Sequence, residues 1–154
     1  MSTASARVER PSARILLLDG EGRVLLFRFS FEGREPFWAT PGGALDPGED
    51  YAAGARRELF EETGIEADCG VEVARRLADF VGPDGIPVRA DERYFLVRAD
   101  RGETGTACHT GLERRVMRGW RWFSHSEIAA HDEPIFPEQL LAMLGRIERK
   151  GAEE

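Results

Sequence analysis

From Ala13 to Asp19 the chain reads ARILLLD, and after the polar turn DGEG it becomes apolar again in VLLFRFSF (24–31). Two such runs joined by a short Gly/Asp-rich link predict a β-hairpin. In the second run a period of two puts Leu25, Phe27, Phe29 and Phe31 on one face, with Val24, Leu26 and Arg28 on the other. EGREP reads as a loop and FWAT as a short strand. It leads into PGGALDPGED, whose two prolines and three glycines suit neither a helix nor a central strand. At Asp50 the period changes. Tyr51, Ala52, Ala55 and Leu59 recur at helical spacing, with Asp50 placed to cap the start and Gly64 to end the helix in the left-handed conformation. Strands are expected over 71–81 and 92–99 with a GPDG turn between them, and TGTACHTGLERRVMRG as a surface loop. WRWFS (120–124) alternates like a strand, SHSEIAAH opens a short helix with a capping serine, and 137–150 is an amphipathic terminal helix. With no repeat or linker, this predicts one α/β domain over residues 1–154, a mixed sheet with helices packed on it. Residues 1–11 and 151–154 are expected to be loose at the ends.

The predicted helix carries an oddity. Glu58, Glu61 and Glu62 fall on one side, beside the apolar stripe, at a spacing where like charges repel. They crowd toward the C-terminal end, where the helix dipole disfavours negative charge. The helix has no lysine; Arg56 and Arg57 are its basic residues. A solvated acidic face is the ordinary reading of such a pattern, but an arrangement that costs stability twice points to a cation. Hard divalent ions prefer oxygen ligands, and Mg²⁺ shares its shell between carboxylates, waters and substrate phosphates.

Composition changes this picture little. With 28 acidic against 21 basic residues, a net charge of −7 gives no electrostatic reason to bind a nucleic-acid duplex or an anionic membrane. No apolar run approaches bilayer length. Cys69 and Cys108 form no metal-binding spacing, and His109, His125 and His131 are dispersed. A cytoplasmic protein with reduced thiols is the expectation.

The stretch GGALDPGEDYAAGARRELFEETGI (42–65) resembles the signature of the Nudix (MutT-like) hydrolases, G-x5-E-x7-R-E-U-x-E-E-x-G-U, where U is a bulky aliphatic residue. Gly43, Glu49, Arg57, Glu58, Leu59, Glu61, Glu62, Gly64 and Ile65 meet every fixed position. The resemblance extends more loosely over residues 12–131. It implies the Nudix fold, a mixed β-sheet sandwiched between helices (α/β/α), with the signature as loop–helix–loop. It also implies a Mg²⁺-dependent (or Mn²⁺-dependent) hydrolase that cleaves the pyrophosphate of a nucleoside diphosphate linked to another moiety.

By that resemblance Glu58 and Glu62 are metal ligands, and Glu61 assists them or binds a second ion. Arg57 belongs to the catalytic set by holding a carboxylate, Glu49 is a structural acid, and Gly64 ends the helix. Gly42 and Gly43 bring backbone to the substrate and metal. The signature does not supply the general base, for which Glu113 is the candidate beside a plain surface glutamate, and Glu92 a weaker one. Arg28 is a candidate phosphate contact, and Phe29, Phe31 and Phe37 could stack on a base or simply fill core. A catalytically silent nucleotide-binding module is disfavoured because the acids are intact. An isopentenyl diphosphate isomerase is disfavoured because neither cysteine has a matching context. Downstream signatures for ADP-ribose, diadenosine polyphosphate, NADH or coenzyme A substrates are not met in RRLADFVGPDG. A homodimer through a sheet edge or the terminal helix is left open.

Overall fold

The computed structural model describes residues 7–82, 84–99 and 117–153. Its strands are β1 (Val8–Leu18), β2 (Val24–Phe29), β3 (Phe37–Ala39), β4 (Gly42–Ala44), β5 (Glu72–Val81), β6 (Pro87–Arg98), β7 (Met117–Phe123) and β8 (Ile135–Phe136). Its helices are α1 (Tyr51–Thr63), α2 (His125–Ala130) and α3 (Leu140–Glu153). The strands form one mixed sheet in the order β5-β6-β1-β2-β3-β8, with β4 added to β1 and β7 to β2. β1/β6 and β3/β8 are parallel pairs and the rest are antiparallel.

Alternation along β1 and β2 builds two cores. Ala13, Ile15, Leu17, Leu25 and Phe27 face α1 and pack on Ala55 and Leu59. Leu16, Leu18, Val24 and Leu26 face the other way, onto Leu140, Met143 and Leu144 of α3 and partly buried Ile128 of α2. Because both faces of these strands are covered, their sequence reads as continuous apolar runs. The result is the expected α/β/α sandwich.

The hairpin, the helix of the signature and the capping residues lie where periodicity puts them. Asp50 Oδ1 accepts the Ala53 N–H, and Gly64, at φ 80°, closes the helix by donating to the Phe60 carbonyl. Ser124 forms a reciprocal capping box with Glu127. Four expectations need correction. Residues 8–11, expected to be loose, form the start of β1, since β6 supplies a parallel partner along its whole length and the Pro11 carbonyl accepts the Leu45 N–H. Gly42–Ala44, expected as loop, is a short strand on the edge of β1, where glycine is tolerated because backbones approach closely. Ala52 is exposed, so α1 docks through Gly54, Ala55 and Leu59 instead. α3 runs to Glu153, past its expected end at 150. Among the described residues no helix is long and apolar enough to cross a membrane.

Candidate active site

The docking of α1 on β1 and β4 turns its acidic side inward. Glu58 is 6% exposed and Glu62 2%, so these are not solvated surface acids. Burying carboxylates is costly unless charge and hydrogen bonds compensate. Glu62 Oε1 accepts the Gly42 N–H at 2.6 Å, while Glu58 Oε1 accepts from Arg57 Nη1 at 3.0 Å.

Arg57 is the hub. Its Nε and Nη2 grip Glu49 bidentately at 2.9 Å each. Nη1 reaches Glu61 Oε2 at 3.1 Å, Nη2 donates to the Ala44 carbonyl at 3.1 Å, and Nε lies 3.1 Å from Asp46 Oδ2. The hydrogen bonds it donates to Glu49 hold the guanidinium protonated even more firmly than usual. In return they keep the Glu49 carboxyl below its ordinary range, with the Asp46 N–H helping. Arg57 therefore ties the loop to the helix and orients three glutamates. Its contacts are with carboxylates and the Ala44 carbonyl.

The glycines make room. A Cβ on Gly42, whose φ is +138°, would run into the Ala13 carbonyl and the Arg14 backbone. A Cβ on Gly43 would sit 2.7 Å from Glu58 Oε1. The sequence reading missed Gly54, where a Cβ would collide with the Leu45 side chain; glycine one turn into a helix facing an apolar loop residue was the available signal.

Four carboxylates meet one guanidinium here, with a fifth, Glu62, pinned by a backbone N–H. That donor set of hard oxygens in excess negative charge suits Mg²⁺ or Mn²⁺. Among the described residues, however, no three candidate ligands already converge on a metal position. Arg57 Nη1 draws Glu58 and Glu61 onto one nitrogen while the Gly42 N–H holds Glu62, so loading would draw oxygens away from the guanidinium.

Other candidates lie elsewhere. Arg28 projects to the α3 face with Val24, Leu26 and Trp38, opposite α1, where Glu133 takes it bidentately at 3.0 and 2.6 Å. It ties β2 to the segment before β8, and Trp38 Nε1 donates to the same carboxylate at 2.7 Å. Glu92 does not point to solvent. It is 7% exposed, bound by Arg14, Arg76 and the Tyr94 hydroxyl, and engaged there as a structural acid. Glu113 and His109 lie outside the described residues. Phe29, Phe31 and Phe37 cluster with centroids 5.6 and 6.0 Å apart, each only partly buried, and Arg34 lies 4.4 Å over Phe37. Pairing of Phe27 with Ala39 and Phe29 with Phe37 puts this cluster on the α1 side of the sheet. An open cavity of about 390 Å³ lined by His131, Glu133 and Leu140 lies instead by α3, away from the box.

A curled mixed sheet between helices, with a glycine-flanked helix presenting buried glutamates, defines a hydrolase of the Nudix type. The NUDIX domain model matches residues 8–144, and the chain belongs to that family. It is a Nudix pyrophosphohydrolase, and thus an enzyme rather than a silent module. The RNA pyrophosphohydrolase of Sphingopyxis alaskensis is 30% identical over 152 residues, covering 92% of each chain. That of Caulobacter vibrioides is 37% identical over 124 residues, covering 73% of this chain and 70% of its own. Among solved structures, the MutT protein of Methanosarcina mazei superposes with a TM-score of 0.65 at 23% identity, covering 96% and 99% of the two chains. A C. elegans Ap4A hydrolase complex does so with 0.61 at 18%, covering 94% and 99%. At such identity the structural likenesses speak to the fold.

Proposed function

We propose that the protein hydrolyses the pyrophosphate of a nucleotide-linked substrate in a Mg²⁺-dependent reaction at the α1–β4 face, with the 5′ pyrophosphate of RNA as its substrate. One observation carries the site: Glu58 and Glu62, one turn apart on α1, are buried against a β4 strand that has no side chain at Gly42 or Gly43. Substrate class rests on the relatives named RNA pyrophosphohydrolase, which match over most of both chains.

Each residue then has a task. Glu58 and Glu62 would hold the cation, with Glu61 at its side. A bound divalent ion would neutralise diphosphate oxygens and acidify a water. Arg57, tethered to Glu49, limits how far Glu58 and Glu61 rotate. The Gly42 N–H fixes Glu62 against β4. The partly buried Phe29, Phe31 and Phe37 offer stacking surface for a base, a sequence-tolerant contact. Glu113 is the proposed general base.

Phosphoryl transfer needs positioning and charge stabilisation more than covalent help from the protein, which fits this set. The chain's net negative charge means RNA would be held at its end rather than along its length, so binding should depend weakly on salt.

The test compares kcat/KM for a 5′-triphosphorylated RNA oligonucleotide, dinucleoside tetraphosphates, UDP-sugars and nucleoside triphosphates, each with Mg²⁺ and with chelator. RNA should lead and chelator should abolish turnover. Equal or better rates on a dinucleotide or UDP-sugar would replace the substrate; undiminished rates in chelator would remove the metal.

A further inference from the structure

β5 ends the sheet. It pairs with β6 on one side, and among the described residues no strand pairs with its other edge. Such an edge is a template for another strand, which proteins usually blunt with lysine, proline or a cover. Here the edge carries Val73, Leu77 and Val81, which are 41%, 60% and 62% exposed.

The direction of its backbone groups follows from the ladder. At the hairpin end Gly82 donates its N–H to the Ile86 carbonyl at 2.9 Å. In antiparallel pairing these bonds recur every second residue. Even-numbered residues of β5 therefore point their N–H and C=O groups at β6, and Arg75, Leu77, Asp79 and Val81 point theirs outward. Pro87 agrees: it lies opposite Val81, where no donor toward β5 is required. The outward-bonding residues share one face, so the exposed apolar side chains and the unpaired backbone belong to the same positions.

From this we infer that β5 pairs antiparallel with β5 of a second copy of the chain, about a two-fold axis at Leu77. A symmetric edge must match itself, and this one does so in a single register. With the axis at Leu77, that residue meets the partner's Leu77, Arg75 meets the partner's Asp79, and Val73 meets the partner's Val81. Cross-strand apolar and opposite-charge pairs of this kind stabilise a sheet. Moving the axis to Arg75 opposes two arginines, and moving it to Asp79 opposes two aspartates. An axis at Arg76 sets Val73 against the partner's Asp79, and one at Ala78 sets Leu77 against it, leaving charge opposite apolar surface. Closed two-fold pairing is also the commonest form of oligomer.

Within one chain Arg75 already binds Asp91, and Asp79 binds Arg89. Both partners lie on β6, so the Arg75–Asp79 pair between copies would extend existing ion pairs across the edge rather than join unpaired charges. The β-bulge falls at Val73, which the register skips between Glu72 and Ala74, so regular pairing runs from Ala74 to Val81 and rests chiefly on the Leu77 and Arg75–Asp79 contacts. β5 lies at the opposite end of the strand order from β3 and β8, so the aromatic cluster stays open in both copies.

The experiment is sedimentation of the full chain at about 50 μM, where a dimer of low-micromolar Kd is mostly assembled. The unsubstituted protein should sediment as a dimer. Leu77→Lys, which opposes two ammonium groups at the axis and alters an exposed side chain, should sediment as a monomer, with a melting curve matching that of the unsubstituted protein at sub-micromolar concentration, where both are monomeric. Leu77→Cys should form a covalent dimer under mild oxidation, since hydrogen-bonded antiparallel partners sit about 5.5 Å apart at Cα, within disulfide reach. Arg75→Cys alone should not cross-link, but mixed with Asp79→Cys it should. A monomeric unsubstituted protein overturns the proposal. So does a dimer that survives Leu77→Lys and leaves Leu77→Cys unlinked, which would place the interface elsewhere. Activity enters none of these readouts, so the proposal stands or falls apart from the substrate reading.

Discussion

Two adjacent glycines should fail in opposite ways when given a methyl group. Gly43 has no left-handed backbone requirement, so alanine there fits the chain itself. Its Cβ would lie 2.7 Å from Glu58 Oε1, and ordinary contact begins at 3.4 Å. The carboxylate must withdraw by about 0.7 Å, at little cost because it ends a flexible side chain. It then loosens its 3.0 Å bond to Arg57, and stability should fall by less than about 1 kcal/mol. Catalysis should suffer more: displacements of about 1 Å in a working site cost on the order of 100-fold. Gly43→Ala should therefore lose roughly 10- to 100-fold in kcat/KM, about 1.4–2.7 kcal/mol of barrier.

Gly42→Ala meets an immovable obstacle, the Ala13 carbonyl, at a φ that side chains avoid. It should cost at least about 3 kcal/mol of stability. For a chain of this size that is a Tm drop of roughly 6–12 °C, against about 2–4 °C or less for Gly43→Ala. Thermal melts and phosphate-release kinetics on the two variants make the comparison. If Gly43→Ala retains activity within twofold, or melts as early as Gly42→Ala, the claim that Gly43 exists to leave space for Glu58 is wrong.

Other outcomes follow from the same geometry. Glu62→Gln keeps an amide oxygen to accept the Gly42 N–H but loses the charge, so Tm should hold while kcat/KM in saturating Mg²⁺ falls by at least about 100-fold; Mn²⁺ binding of unchanged affinity would contradict this. Arg28→Ala should lower Tm and leave KM within about twofold for any accepted substrate, and a selective KM increase would return Arg28 to the site. Glu133 is held down to about 2 by the hydrogen bond from Arg28, then that from the Trp38 indole. A depressed carboxyl stabilises above its unfolded pKa and loses that contribution as pH falls through the folded one. The Tm gap between the native chain and Glu133→Gln should thus be flat from neutrality to about pH 5 and shrink toward pH 2; a gap that widens on acidification refutes the assignment. Glu113→Gln should lower kcat strongly with KM nearly unchanged, and a loss under about tenfold, or roughly 1.4 kcal/mol, would move the general base elsewhere.

Much of the site was legible before any coordinates. The helix, its Asp50 and Gly64 caps and the shared side of Glu58, Glu61 and Glu62 depend on spacings of a few residues, which the 3.6-residue period governs alone. The two faces of β2 were readable for the same reason, with a period of two. The face of Arg28 was correctly assigned, but its partner Glu133 lies 105 residues away, beyond the reach of any local pattern. The partners of Glu92, Arg14 and Arg76, come from neighbouring strands 78 and 16 residues away, so no local pattern shows them. The Gly42–Ala44 strand was missed because its turn-like composition is overridden by a long-range partner in β1.

The chain's own pattern was therefore enough to establish the alternation of strands and helices, the run of acids on one helix side, and a glycine pair just ahead of it. Those properties arise from backbone geometry acting over one or two turns. Folding in three dimensions decided that the acids are buried rather than solvated, that Arg57 gathers Glu49 together with Glu58 and Glu61, and that Arg28 belongs to Glu133. It also left β5 with an open edge. These depend on which strands become neighbours and in what register, and that is settled by the joint burial of two apolar faces across the whole chain rather than by any short segment of it.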